Sequence, residues 1–279
     1  MKVVISCVAE NTPIYHLKVI NLFSTIKQFG GKLHTASRIA YFVDNVDDDI
    51  KDRLANIGVE CRIIQAFDSR SPHCNKIRML EMEDDYDILV MLDCDMVVVK
   101  DFSESLSTDA IMLKPCNTHT LRLETWRSMF QHLGVPFPNH RVLTTYSRVY
   151  TVPYFNSGLV IVPKKYTQLL YTSWKNHALE LLEQYPYMSK YIAENSFYTD
   201  QFALTLSLSS AELPYTVLDV SYNFSTHHSK IDDIPDSTSA YILHYHSHVN
   251  SKGHLEKTGY MQIDTEIETI NDFLANHKL

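Results

Sequence analysis

The sequence predicts an α/β protein: a central, mostly parallel sheet flanked by helices. Short apolar runs alternate with longer stretches of helical periodicity through the first hundred residues. The links between them are short, which implies right-handed crossovers and parallel strands. The run Ile88–Leu92 is continuously apolar, too short for a helix and without period-two alternation, as expected of a strand covered on both faces.

Val3–Val8 reads as the first strand. Thr12 as N-cap and Pro13 at the first helical position start a helix over Ile14–Phe29, and Gly30-Gly31 stops it. Arg38–Val43 is the second strand, Asp47–Ile57 a short helix ended by Gly58, and Val59–Ile64 the third strand. A helix over His73–Glu83 leads into the Ile88 strand, and Val97–Val99 follows as a further β-branched run. Beyond Lys100 the alternation weakens. Leu121–Leu133 has Trp126, Phe130 and Leu133 on one helical face. Val135–Thr151 reads as a long loop rich in aromatic and basic residues, of a length that is often functional. Leu159–Val162 is a buried strand with Asn156-Ser157-Gly158 at its mouth. Pro163 opens a helix running through Leu182. Thr199 or Asp200 caps a helix over Phe202–Leu208. On a strand over Tyr241–His248 the three histidines His244, His246 and His248 share one face. Ile263–Leu274 closes the chain as a helix.

The organising feature is Asp93-Cys94-Asp95 at the end of the Ile88 strand. Two carboxylates one residue apart are costly to desolvate without a partner. They stand where open α/β sheets bind ligands. A hard divalent cation with oxygen ligands neutralises both. The loop after the first strand, Ala9–Pro13, has no glycine, so neither a dinucleotide loop nor a P-loop is present there. A nucleotide would instead need a metal to hold its phosphates. Tyr15 offers a ring for stacking on a base, or for core packing. Lys76 offers a charge to a diphosphate, or to solvent. The histidines read either as a zinc site or as a surface strip.

Composition narrows the class. The 279 residues carry a formal charge of −8, which argues against nucleic acid as the main partner. The five cysteines are scattered without a Cys-x-x-Cys pair and read as reduced thiols of a cytoplasmic protein. No apolar run has the length of a membrane span, and the first strand begins too early to leave room for a signal peptide.

In order along the chain, Lys76, Leu89-Val90-Met91-Leu92-Asp93-Cys94-Asp95, Phe155-Asn156-Ser157-Gly158, Asp200-Gln201 and Leu243-His244 resemble the segments of a metal-dependent glycosyltransferase of the GT-A fold. The sequence is most similar to family 8 and its relatives, which use UDP-sugars and manganese. The resemblance implies one GT-A domain over residues 1–279: a nucleotide-binding half over 1–100, a donor-sugar and acceptor half over 101–255, and a closing helix over 256–279. It implies Mn2+ or Mg2+ held by Asp93, Asp95 and His244, with Asp93 also near the donor ribose. It implies a nucleotide-sugar donor contacted by Tyr15, Lys76, Asn156, Ser157 and Asp200, with Gln201 beside the anomeric centre, and a glycan or small sugar as acceptor. The Gly-x-x-Lys-Pro-Trp segment of that family is absent. Ser251-Lys252-Gly253-His254 stands in its place and offers Lys252 to a phosphate. Family 8 members retain anomeric configuration; the alternative is inversion with Asp200 as base. A nucleotidyltransferase would need a glycine-rich first loop. A hydrolase built on the histidines would need partner ligands, for which His227-His228 is the candidate. A non-catalytic sugar-binding module would leave Asp93 and Asp95 without a role.

Overall fold

The computed structural model describes residues 1–192, 197–251 and 253–276. β1 (Val3–Glu10) leads into α1 (Pro13–Phe29). Thr12 has the extended backbone of an N-cap, and its carbonyl accepts from the His16 amide at 2.9 Å. Its hydroxyl makes no capping bond, contrary to the expected cap. The fixed φ of Pro13 starts the helix without it. The stop at Gly30-Gly31 is steric. A Cβ on Gly30 would stand 2.4 Å from the Ile26 carbonyl oxygen, and Gly31 has a φ of +52°.

β2 (Ser37–Val43), α2 (Asp48–Asn56) and β3 (Glu60–Ile64) follow as predicted. The helix expected over His73–Glu83 is a 3₁₀ helix, Pro72–Glu81. Its buried Cys74, Ile77 and Leu80 recur every third residue, the spacing that lines up at three residues per turn. β4 (Ile88–Asp93) and β5 (Met96–Val98) enclose the turn at Cys94 and Asp95. β6 (Ile111–Pro115) and α3 (Leu123–His132) come next.

The expected loop Val135–Thr151 contains a hairpin, β7 (Val142–Leu143) antiparallel to β8 (Tyr150–Thr151). The amides of Thr145, Tyr146 and Ser147 pin it by donating to the Cys116 and Asn117 carbonyls. β9 (Phe155–Pro163) is longer than Leu159–Val162 and takes in Asn156, Ser157 and Gly158. Then come α4 (Lys164–Ile192), α5 (Thr199–Ser210), β10 (Tyr215–Val217), β11 (Phe224–Ser225), β12 (Ile242–His244) and α6 (Met261–Asn276). β12 ends at His244, so the predicted strand through His248 does not form. Tyr198 holds the cap position of α5, and Thr199 and Asp200 lie inside its first turn.

The fold is mixed α/β with a central, mostly parallel sheet, and the chain falls into two compact units. One comprises Met1, Gln65–Met91 and Ser107–Leu218; the other comprises Lys2–Ile64, Leu92–Leu106 and Asp219–Leu279. In the first, the strand order is β10-β6-β9-β4, with β10 parallel and β9 antiparallel to β6. Its core centres on fully buried Trp126, whose ring meets Tyr154 at 5.2 Å and Phe202 at 5.3 Å. In the second, β1, β2 and β3 pair in parallel, and a smaller sheet runs β11-β12-β5. Among the described residues no helix is long and apolar enough to cross a membrane.

Two stability effects follow. Trp126→Ala should cost about 3–5 kcal/mol, read as a lower urea midpoint at unchanged slope. Lys114 is fully buried on β6, where its ammonium donates to Asn117 Oδ1. Burial pushes its pKa down to about 7, whereas the unfolded chain keeps that proton to about pH 10. Between those limits the unfolded state binds more protons, so this group makes stability rise with pH. Lys114→Met should therefore stabilise the protein, by at most about 4 kcal/mol at pH 7. The gain in melting temperature over the unaltered chain should shrink towards pH 9.

Candidate functional site

Two polar centres emerge, one in each unit. The first forms where β4 ends and the chain turns back through Cys94 and Asp95 into β5. β12 pairs antiparallel with β5, setting His244 opposite Met96, and the Tyr245 amide donates to the Asp95 carbonyl at 3.1 Å. β11 lies on the other side of β12, with Ser225 opposite His244. This ladder holds His244 against Asp95: Nε2 stands 3.2 Å from Oδ1. The other carboxylate oxygen faces the Lys18 ammonium of α1 at 3.5 Å.

His246 reaches the same point by a different route. It lies beyond the strand in the left-handed region, φ 51°, uncommon for a residue other than glycine. The turn stacks its ring on His244, centroids 3.7 Å apart and planes 24° apart. Asp95, His244 and His246 each offer a ligand atom, and these atoms all lie within 4.8 Å of one another.

The electrostatics fit a cation. His244 Nδ1 is 3.1 Å from Asn223 Oδ1. An amide oxygen only accepts, so Nδ1 carries the proton. The His244 Nε2 points at the Asp95 carboxylate at 3.2 Å, and a cation placed between the two would have both as ligands. Burial opposes the charge on Asp95. The facing His244 and the Lys18 ammonium outweigh burial and hold the carboxyl below the usual carboxylate range. Burial, then the neighbouring His244, pushes His246 down to about 2. Its ring is thereby held neutral, as a metal ligand requires. The Nε2 of His246 is buried and has no hydrogen-bond partner among the described residues.

The second centre is a buried ion pair. Lys76 Nζ lies 3.2 Å from Asp200 Oδ2. Ser157 donates its hydroxyl to the same oxygen at 2.5 Å, and Lys76 donates to the Ser157 hydroxyl at 3.1 Å. Asp200 is 2% exposed, and Trp174 Nε1 donates to its carbonyl at 2.8 Å. The Cys116 thiol donates to Gln201 Oε1 at 2.9 Å. Asn156 Oδ1 accepts from the Gly158 amide at 2.9 Å.

The predicted residues thus divide. Asp95 and His244 come together, and Asp93 stands half-buried at the end of β4. Lys76, Ser157 and Asp200 form one network, with Gln201 and Asn156 on the same elements. Tyr15 lies half-buried in the first turn of α1, its ring centre 5.5 Å from the Lys18 ammonium. His248 does not share a face with His244; it pairs with Glu256 at 3.3 Å. Lys252 lies outside the described residues. Lys18, Asn223 and Cys116 are additions from the structure. Lys18, one helical turn after Tyr15, carried a usable signal; the other two carried none.

The model of the Rhodobacterales glycosyltransferase domain matches residues 17–212. That span holds Lys18, Lys76, Asp93, Asp95, Ser157 and Asp200 and stops short of β12. Among solved structures, the chain is similar to the galactosyltransferase LgtC in complex with donor and acceptor sugar analogs. There the identity is 11%, the TM-score 0.57, and the cover 99% of this chain and 96% of that one. It is also similar to mouse xyloside xylosyltransferase 1, at 12% identity and TM-score 0.54, covering 88% and 98%. The WbbM bifunctional glycosyltransferase is similar at 13% identity and TM-score 0.55; 96% of this chain is covered but only 49% of that one. The chain therefore spans about half the length of WbbM. No curated protein matches it in sequence. These likenesses are of fold, and the fold is that of the GT-A glycosyltransferases. The match over residues 17–212 identifies the chain as a member of the Rhodobacterales glycosyltransferase domain family.

Proposed function

We propose that this glycosyltransferase moves a hexose from a UDP-linked donor to a hydroxyl of a glycan or small sugar, with a divalent cation and with retention of configuration. The observation that carries the reading is the convergence of Asp95, His244 and His246. Asp95 and His244 would hold Mn2+ or Mg2+ there; Asp93, the further ligand that the resemblance implies, is not among the residues that converge. When bound, the cation neutralises diphosphate charge and stabilises the departing UDP. Asn223 fixes the His244 ring, as outer partners of metal ligands do. Lys18 offers its ammonium to a phosphate oxygen once a cation takes over Asp95. Tyr15 presents a ring to the base.

In the other centre, Asp200 is held by Lys76 and Ser157. A base for inversion must approach the acceptor hydroxyl and take its proton. A carboxylate this buried and already committed to an ammonium is better suited to orienting sugar hydroxyls. That favours retention, with Asn156, Ser157 and Gln201 as further donor-sugar contacts and Lys76 as the residue that fixes Asp200.

Two experiments test the reading. Hydrolysis of UDP-hexoses should stop in EDTA and return with Mn2+. Asp95→Ala should lower it by about 10²-fold or more, by analogy with the loss of one electrostatic stabiliser. Full turnover in EDTA would remove the cation from the mechanism. Proton NMR of the glycoside formed from an α-linked donor should show an α-linked product; a β-linked product would instead make Asp200 the base. Asp200→Asn is a poor substitute for that measurement, because it strands the buried Lys76 charge at a cost of about 3–5 kcal/mol.

A further inference from the structure

We propose that His246 is a ligand of the cation and makes the site selective for first-row transition ions over Mg2+. The inference rests on the reading that a cation occupies the Asp95–His244 centre, and it adds the identity of a third ligand and the class of ion.

Three independent features of His246 point the same way. Its backbone sits at φ 51°, a conformation that costs free energy in a non-glycine residue and persists where the surroundings hold it. Its Nε2 is buried with no hydrogen-bond partner among the described residues, which is costly for a polar atom unless something else engages it. Its ligand atom lies within 4.8 Å of those of Asp95 and His244. A bound ion accounts for all three: it takes the lone pair, and it repays the turn that brings the ring inward.

The donor set then decides the ion. Asp95, His244 and His246 supply one carboxylate oxygen and two imidazole nitrogens. Mg2+ favours oxygen and keeps its waters. Imidazole favours the later divalent ions of the first transition row. Three protein donors leave coordination positions open, as a site that also binds phosphate oxygens needs. His227 meets the His246 ring edge-on at 4.4 Å and bonds Ser225 Oγ through Nδ1 at 2.8 Å. That contact packs a third imidazole against the His246 ring.

The test uses the whole protein without donor and Co2+ as the probe, read by visible absorption and by calorimetry. The unaltered protein should take up Co2+ with ligand-field bands that millimolar Mg2+ does not abolish. His246→Asn tolerates the left-handed backbone and removes the imidazole. His246→Gly relieves that backbone, so the fold should survive. Both should weaken Co2+ by about tenfold or more and shift the bands, while leaving the weak Mg2+ affinity unchanged. His248→Ala, whose ring pairs with Glu256, should bind as the unaltered chain does. If Asp95→Ala loses Co2+ while both His246 variants keep the original affinity and spectrum, this inference falls and the cation reading stands. Equal affinity for Mg2+ and Co2+ also overturns the selectivity. If the unaltered protein takes up no Co2+, both fall together.

Discussion

A carboxylate removed from water has to be matched by cations or by hydrogen-bond donors, and both polar centres of this chain are solutions to that requirement. Asp200 is matched within the protein: Lys76 supplies charge and Ser157 a short hydrogen bond. Asp95 is matched differently. His244 Nε2 is 3.2 Å and Lys18 3.5 Å away, and within 4.8 Å stands His246, whose Nε2 has no hydrogen-bond partner among the described residues. One centre is complete as folded, and the other brings together three groups that could hold a metal ion. That contrast supports assigning positioning to Asp200 and ion binding to Asp95.

The backbone supplies the precision. His244 sits next to Asp95 because β12 pairs with β5 in a register that puts it across from Met96. In an antiparallel pair a one-residue slip would turn every side chain to the opposite face. The buried run Ile242–Leu243 against Val97–Val98 fixes that register by hydrophobic packing. Ordinary strand packing thus places the imidazole, and Asn223 sets its tautomer.

Much of this was legible in the sequence, for a physical reason. Strand and helix positions in the first hundred residues follow from apolar periodicity, and Asp93-Cys94-Asp95 stands out because charge interrupts a buried strand. Lys76, Ser157, Asp200 and His244 were singled out as candidates, though their pairings were not. What periodicity could not reveal was local backbone geometry. The 3₁₀ form of Pro72–Glu81 depends on a three-residue burial spacing seen only once packing is known. The end of β12 at His244, and the left-handed turn at His246, depend on where pairing with β5 stops. Sequence alone therefore placed three histidines on one strand face, where the structure sends His246 back over His244 and His248 to Glu256. The cap function expected of Thr12 failed because Pro13 makes it dispensable.

The parentage of the Asp95–His244 pair carries a consequence for the order of events during synthesis. Asp95 follows the fourth strand, whereas His244 arrives on the last, after the whole of the first unit has been made. Closing so long a stretch of chain has an entropic cost that only the finished β5–β12 ladder offsets. On the ribosome, the centre containing Asp200 has all its side chains available well before the one containing Asp95. The side chains of the buried ion pair are therefore all synthesised before His244 and His246, so the two-imidazole centre waits for β12 and the turn that follows it.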